Sequence, residues 1–312
     1  MSQNRYGQFK IKNIMIRSTL SNTKKSTFAI VGPSSDENIN IPYGTGFFIS
    51  GEGHFVTAAH VLYDPDNQYN PRFDLSKILL VRDIHDEQRV GNTTCCTGAV
   101  IHLDTSNDFA LLKVSDHELQ DASWLINGKF PHLKVSERVL YEAEPVYSYG
   151  YPLSETVKIF TGQTVTFHLE GQGHKTYPLH TFQTHLCPRI TSLIVSSRTE
   201  NSNAQNQNGI PNTYVLDKAL NYGNSGGPIV SILTGFVHGM CRRFQPVGIR
   251  QNSIKDSNNN PIQIIIPSLY GIATNLSIPS ILEQLKINRV VVKKDKLTYP
   301  RKQWLKLKHF WQ

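Results

Sequence analysis

The sequence predicts an all-β protein, and three features support this fold class: many short apolar segments of strand-like composition, turn residues between them, and very little helical periodicity. Hydrophobic residues make up 39% of the 312 residues and charged residues 18%, proportions that are ordinary for a globular chain with a buried core. Short strands with turn residues between them and a closing helix are typical of a β-barrel or a β-sandwich.

The predicted strands are runs rich in β-branched and aromatic residues that lie between turn-forming residues. In chain order they are Phe28–Val31, Gly46–Ser50, Lys77–Val81, Phe109–Val114, Pro145–Tyr149, Thr164–Leu169, Leu193–Ser196, Ile229–Ile232, Phe236–Met240 and Tyr270–Ala273. Helical pattern is limited to a short turn near Ala59–Leu62 and a helix over Ile278–Lys286, whose proline stands at an opening position where its missing N–H costs nothing. The polar tracts 197–212 and 252–260 are predicted to be surface loops.

The chain carries a net charge of +8, and much of the excess lies in residues 288–312, where aromatic residues are interleaved with basic ones. A stretch of this kind can bind nucleic acid or an anionic membrane surface, or it can be a solvated tail that packs on the domain through its aromatic rings. We expect no obligate nucleic-acid partner.

No segment approaches the roughly 18 apolar residues that a membrane span requires, so we expect no transmembrane segment. The first 25 residues are polar and basic, and they lack the apolar core of a secretion signal. The four cysteines do not make a disulfide framework for a chain of this length, which favours free thiols in a reducing compartment. These features predict a cytoplasmic protein.

Three residues that could ligate a metal ion, His180, His185 and Cys187, lie close together in the sequence. Their spacing matches no common zinc pattern. We therefore expect no metal ion, and nothing else in the sequence calls for an organic cofactor.

The sharpest local signal is the segment Gly223-Asn224-Ser225-Gly226-Gly227-Pro228. Small neighbours let the backbone turn tightly at a nucleophilic serine and let a substrate carbonyl approach main-chain N–H groups. The segment alone also matches the Gly-x-Ser-x-Gly elbow of the α/β-hydrolases, and it could be a plain glycine-rich turn. A serine nucleophile further requires a base within hydrogen-bonding reach.

Two other segments supply the candidate base and the candidate acid. His60 follows Val56-Thr57-Ala58-Ala59, and Asp108 stands at the mouth of the strongly apolar strand that begins at Phe109. A carboxylate in that position is poorly solvated and needs a partner such as an imidazole N–H. The chain order His60, Asp108, Ser225 is that of chymotrypsin, whereas the α/β-hydrolases run from serine to acid to histidine.

These blocks resemble the catalytic blocks of the trypsin-like peptidases, and more closely those of the protease domain of HtrA/Deg proteins. The resemblance covers residues 27–286 and rests on Gly44–Ile49, Thr57–His60, Asp108–Leu112, Tyr149–Pro152 and Asp217–Pro228. It implies two six-stranded antiparallel β-barrels of the chymotrypsin type, a C-terminal helix and a basic tail.

The resemblance also divides the chain into regions. It implies a basic N-terminal extension at 1–25, a first barrel with His60 and Asp108 at 26–125, a second barrel with Ser225 and the closing helix at 126–287, and the basic aromatic tail at 288–312. The residues that follow the helix are too few for the PDZ domain of HtrA/Deg proteins.

The roles that the resemblance implies are those of a serine endopeptidase acting on protein or peptide substrates. Ser225 is the expected nucleophile, His60 the general base, and Asp108 the acid that orients the imidazole. The backbone N–H groups of Gly223 and Ser225 are the expected oxyanion hole.

Substrate specificity is expected to depend on residues near the primary pocket. The resemblance places Ala219, Leu220, Met240, Arg242, Arg243 and Ser268 there. Ala219 stands at the position where trypsin has the acidic residue that selects its substrates, and this argues against a preference for lysine or arginine. The apolar residues favour a small or medium apolar side chain, while the arginines could favour an acidic one.

Asn224 stands where digestive trypsin-like enzymes carry an aspartate that pairs with a newly cleaved N-terminus. We therefore expect no obligate propeptide, and control instead by loop ordering or by a regulatory protein partner. The alternatives to an active peptidase are a catalytically silent trypsin-fold binding module and an esterase or other acyl hydrolase that uses the same triad. A protease bound to nucleic acid or membranes through its basic tail is also compatible with the sequence.

Overall fold

The computed structural model describes residues 17–33, 39–64, 67, 70–86, 89–114, 123–152, 159–160, 165–169, 173–177, 188–199, 210–255 and 261–295. Three helical segments are present in these ranges: α1 (17–26), α2 (Ala59–Leu62) and α3 (Pro279–Ile287). The strands are β1 (Thr27–Pro33), β2 (Ile39–Phe48), β3 (His54–Thr57), β4 (Tyr63–Asp64), β5 (Asn70–Pro71), β6 (Ile78–Asp86), β7 (Arg89–Asp104), β8 (Phe109–Val114), β9 (Val135–Ser136), β10 (Pro145–Gly150), β11 (Ile159–Phe160), β12 (Val165–Leu169), β13 (Gly173–Tyr177), β14 (Arg189–Thr199), β15 (Thr213–Leu216), β16 (Pro228–Ser231), β17 (Val237–Lys255), β18 (Pro261–Asn275) and β19 (Val292–Lys293).

The first sheet closes into a barrel of six antiparallel strands. Its order is β1-β6-β7-β8-β3-β2, and pairing of β2 with β1 closes the ring, while β11 adds to the outside of β2. The register places β3 beside β8, with Thr57 opposite Ala110. This pairing brings the end of β3 next to the start of β8.

The second sheet closes in the same way. Its order is β16-β10-β14-β15-β18-β17, and pairing of β16 with β17 closes it, while the short strands β9 and β19 extend the sheet beyond β17. The predicted architecture of two six-stranded antiparallel barrels with a C-terminal helix is therefore confirmed.

Aromatic rings fill the first barrel. Phe28, Phe48 and Phe55 are fully buried, and Phe48 lies edge-on to each of the other two, with ring centroids 5.4 and 5.0 Å apart. The same apolar cluster continues into the second barrel through residues such as Met240 and Leu276. The two barrels thus pack against each other through a continuous apolar contact, which fixes the cleft between them.

The structure differs from the sequence-based prediction at the edges of two polar tracts. Strand β14 continues to Thr199 and β17 to Lys255, where paired backbone groups satisfy one another whatever the polarity of the side chains. Residues 17–26 are helical, and Arg82 donates a hydrogen bond to the carbonyl of Lys25 at the end of that helix. None of the helices in the described ranges has the length and apolar character needed to cross a membrane.

Candidate active site

Ser225 lies in a tight loop between β15 and β16 that contacts the first barrel. Gly223 and Gly226 take positive φ angles of 92° and 84°, a region that side chains rarely adopt. A Cβ on Gly226 would lie 1.9 Å from the carbonyl oxygen of Thr45 and 2.3 Å from the Thr57 hydroxyl. Glycine at position 226 is therefore required by close approach as well as by backbone angle.

Thr45 on β2 holds this loop with backbone and side-chain hydrogen bonds. Its amide donates to the carbonyl of Ser225 (2.7 Å), and its hydroxyl donates to the carbonyl of Gly223 (2.6 Å). The hydroxyl also accepts the amide of Tyr151 at 3.0 Å. Thr45 is fully buried, so these bonds form out of water and join both sides of the cleft.

His60 and Asp108 meet because β3 and β8 are neighbours. Asp108 stands just before β8 with a φ of 55°, and His60 lies in the first turn of α2. The imidazole Nδ1 lies 2.8 Å from Oδ2 and 3.0 Å from Oδ1 of the carboxylate, and the His60 amide donates to Oδ1 at 2.9 Å. An Nδ1–H that donates to the carboxylate leaves Nε2 free to accept a proton.

The hydroxyl of Ser225 donates to the carbonyl of Arg242 at 3.2 Å. Within the described part of the chain, no hydrogen bond joins it to His60. The side chain of Arg242 reaches Asp108, and its Nε lies 3.4 Å from Oδ2 of that carboxylate. The structure thus brings all three predicted catalytic residues to one place, together with an arginine that the sequence had assigned to the specificity pocket.

The two amides predicted to form an oxyanion hole have no acceptor in the described residues: neither Gly223 nor Ser225 donates a backbone hydrogen bond there. Asn224, between them, is buried, and its side-chain oxygen occupies the space where a Cβ on Gly150 would stand. The amides of Gly223 and Ser225 are therefore not used by other backbone groups of the described residues.

A cysteine, Cys241, packs behind the Ser225 loop, but its thiol is a poor candidate for a nucleophile. Cys241 pairs with the loop through its backbone, because its carbonyl accepts the Gly226 amide and its amide donates to Gly227. Burial raises the pKa of its thiol to about 12, so the thiol stays protonated at neutral pH. Its sulfur lies 3.0 Å from the Ser148 hydroxyl.

The residues predicted to lie near the primary pocket differ in burial. Met240 is fully buried in the core, and Leu220 packs into the core of the second barrel. Ala219 is partly exposed, so it alone of the predicted apolar residues stays available to substrate. The side chains of Arg243 and Ser268, and the cluster His180, His185 and Cys187, lie outside the described residues.

A family model for the trypsin-like peptidase domain matches residues 44–240 of the chain. No curated protein sequence matches this chain. The solved structures that it resembles include a serine endoprotease from Yersinia pestis, with 16% sequence identity, a TM-score of 0.46, and coverage of 88% of this chain and 66% of that chain. The HtrA-type protease AlgW with a decapeptide has 15% sequence identity and a TM-score of 0.49, with coverage of 88% of this chain and 67% of that chain. Deg5 has 16% sequence identity and a TM-score of 0.44, with coverage of 75% of this chain and 85% of that chain. The chain thus spans about two thirds of the length of the first two.

Proposed function

Because the chain belongs to the trypsin-like peptidase family, we propose that it is a serine endopeptidase that hydrolyses peptide bonds in protein substrates through Ser225, His60 and Asp108. The observation that carries the proposal is the contact of both Asp108 carboxylate oxygens with Nδ1 of His60, at 2.8 and 3.0 Å. This contact orients the imidazole and stabilises its charged form when it takes a proton.

The chemistry follows from these positions. When substrate binds, the Ser225 hydroxyl turns from the Arg242 carbonyl to Nε2 of His60, which takes its proton as Oγ attacks the scissile carbonyl. The carbonyl oxygen becomes an oxyanion that the amides of Gly223 and Ser225 stabilise, by about 2.7–4 kcal/mol for each donor. The C–N bond then breaks, His60 protonates the departing amine, and a water molecule activated by His60 hydrolyses the acyl-enzyme.

The test is active-site labelling with a fluorophosphonate probe, combined with cleavage of casein. We expect the wild-type chain to be labelled, and Ser225→Ala to lose labelling and to lower kcat by roughly 10⁴-fold or more. Ser192→Ala, which alters an exposed serine on β14, serves as the matched control and should behave as wild type. A folded wild-type chain that neither reacts with the probe nor cleaves casein would refute the proposal.

A catalytically silent binding module is the second candidate, and the observation that favours it is the hydrogen bond of the Ser225 hydroxyl to the Arg242 carbonyl instead of His60. A peptidase activated by a protein partner would share this resting arrangement. Catalytic hydrogen bonds often form only when substrate binds, and for that reason we rank the active peptidase first. Brisk ester turnover without casein cleavage would instead identify an acyl hydrolase.

A further inference from the structure

Arg242 occupies an irregular position in β17. The register of β17 against β18 pairs Cys241 with Ala273 and Arg243 with Ile272, so Arg242 is the extra residue of a β-bulge. Bulged residues leave the ladder, and their side chains are re-aimed. Here the bulge frees the Arg242 carbonyl for the Ser225 hydroxyl and turns the side chain across the cleft towards the first barrel.

The Arg242 side chain is the one permanently charged partner of Asp108 among the described residues. Its Nε lies 3.4 Å from Oδ2, the oxygen that also lies nearest Nδ1 of His60. The carboxylate is only 9% exposed and the arginine side chain 20%, so water screens this ion pair poorly. A buried carboxylate without a charged partner would be strongly disfavoured.

We propose that Arg242 is a positioning residue of the catalytic triad, a role that rests on the proposed peptidase function. Its ion pair fixes the carboxylate of Asp108 in the orientation that Nδ1 of His60 requires. Because Asp108 belongs to the first barrel and Arg242 to the second, the assembly of the triad depends on where β17 lies. The same side chain is then not available to select acidic substrates, so Arg242 gives no preference for them.

The kinetic test compares Arg242→Met with Arg242→Lys on a short peptide substrate. We expect Arg242→Met to lower kcat by about 10-fold to 100-fold with KM nearly unchanged, because small misplacements of catalytic groups are costly. Arg242→Lys, which keeps a cation, should recover part of the loss. Arg198→Met is the control: it removes another arginine of the second barrel, whose Nε lies 3.9 Å from Glu142, and it should leave kcat and KM unchanged. Circular dichroism melting verifies that each variant is folded.

A double-mutant cycle separates positioning from a general structural role. If Arg242 acts through Asp108, adding Arg242→Met to Asp108→Asn should change kcat by less than about 2-fold. Independent losses that multiply, or a wild-type kcat in Arg242→Met, would overturn the proposal.

The proton NMR signal of the His60 Nδ1–H gives a readout that needs no catalytic activity. We expect it to shift in Arg242→Met and to stay in place in Arg198→Met. An unchanged signal in Arg242→Met would overturn the positioning role. A chain without peptidase activity whose signal shifts would instead refute the proposed function and leave the Arg242–Asp108 coupling intact.

Discussion

Gly226 shows how closely the Ser225 loop packs on the first barrel. The atoms that a Cβ at this position would meet belong to Thr45, Thr57 and Ala58, at 1.9, 2.3 and 3.1 Å. Two of the three are backbone atoms of the barrel wall, so no side-chain movement could relieve the contact. The position of Ser225 therefore depends on the absence of a side chain one residue later.

We predict that Gly226→Ala abolishes peptidase activity and lowers the free energy of unfolding by more than the 1–3 kcal/mol or so that an unfavourable φ costs alone. Chemical denaturation and kcat/KM measure the two effects. Gly128→Ala is a matched control, because Gly128 also has a positive φ, of 71°, but nothing lies within 4 Å of its Cβ position. The control should be fully active. Equal effects of the two substitutions would show that the close packing at Gly226 contributes nothing to stability or activity.

At the same scale, the order of His60, Asp108 and Ser225 and their small neighbours were enough to predict these three residues as a group, and the structure shows the contact of His60 with Asp108. It was not sufficient for Arg242. The direction of a strand side chain depends on register, and a bulge between Cys241 and Arg243 reverses the expected alternation. Pairing partners far along the chain create that bulge, so no local pattern could reveal it.

Among the elements, strand β2 links the two halves of the site. From this strand of the first barrel, Thr45 bonds to the Gly223 carbonyl, the Ser225 carbonyl and the Tyr151 amide, which all belong to the other half of the cleft. Its own carbonyl accepts the Thr57 hydroxyl at 2.7 Å. One strand thus holds the Ser225 loop against the first barrel.

We predict that Thr45→Val destabilises the fold and lowers kcat, because it removes the hydroxyl that donates to the buried Gly223 carbonyl. An unsatisfied buried group costs about 1–3 kcal/mol. Thr45→Ser retains the hydroxyl and should keep kcat within a few-fold of wild type. Steady-state kinetics and thermal melting of the two variants provide the comparison. Equal activity in both would show that the hydroxyl does not position the loop.

Elements were predictable where apolar composition is continuous, as in β8, whose bounds Phe109–Val114 match the expectation. Strand β7 was missed. Cys96 and Gly98 face inwards in alternation, but a register shift between Val100 and His102 breaks the pattern. A strand that changes phase has no constant period for sequence-based reasoning to detect.

At the scale of the whole molecule, a buried charged cluster joins the start of the second barrel to its C-terminal segment. Arg138 binds both carboxylate oxygens of Glu144, at 2.9 and 2.7 Å, and its Nε lies 3.3 Å from Asp295. His238, on β17, is fully buried with Nδ1 2.8 Å from the Arg138 carbonyl and Nε2 3.2 Å from Asp295. Sequence reasoning could not reveal this cluster, since its members are far apart in the chain and each resembles a surface residue.

We expect this cluster to contribute to the acid stability of the fold. Burial opposes ionisation of Glu144 and Asp295. At Glu144 the hydrogen bonds and charge of Arg138 outweigh burial and lower the pKa of the carboxyl. At Asp295 the hydrogen bonds and charge of His238 and Arg138 do the same. A carboxyl whose pKa is lower in the folded chain binds protons more readily when unfolded. Each carboxyl therefore stabilises the fold fully at pH values above its ordinary pKa, 4.5 for Glu144 and 3.8 for Asp295. This stabilisation is lost as the pH falls through the lowered pKa of the folded chain.

We predict that the free energy of unfolding is steady near neutral pH and falls steeply below about pH 4, where these carboxylates take up protons. Glu144→Gln should cost about 3–5 kcal/mol at pH 7, because it leaves the Arg138 cation buried without its main partner, and should flatten the acid slope. Glu142→Gln alters a carboxylate that is 57% exposed, and it should change stability by less than about 1 kcal/mol. Urea denaturation of the three proteins from pH 7 to pH 3 measures both the offset and the slope. An acid slope in Glu144→Gln as steep as in wild type would mean that other carboxyls govern acid unfolding.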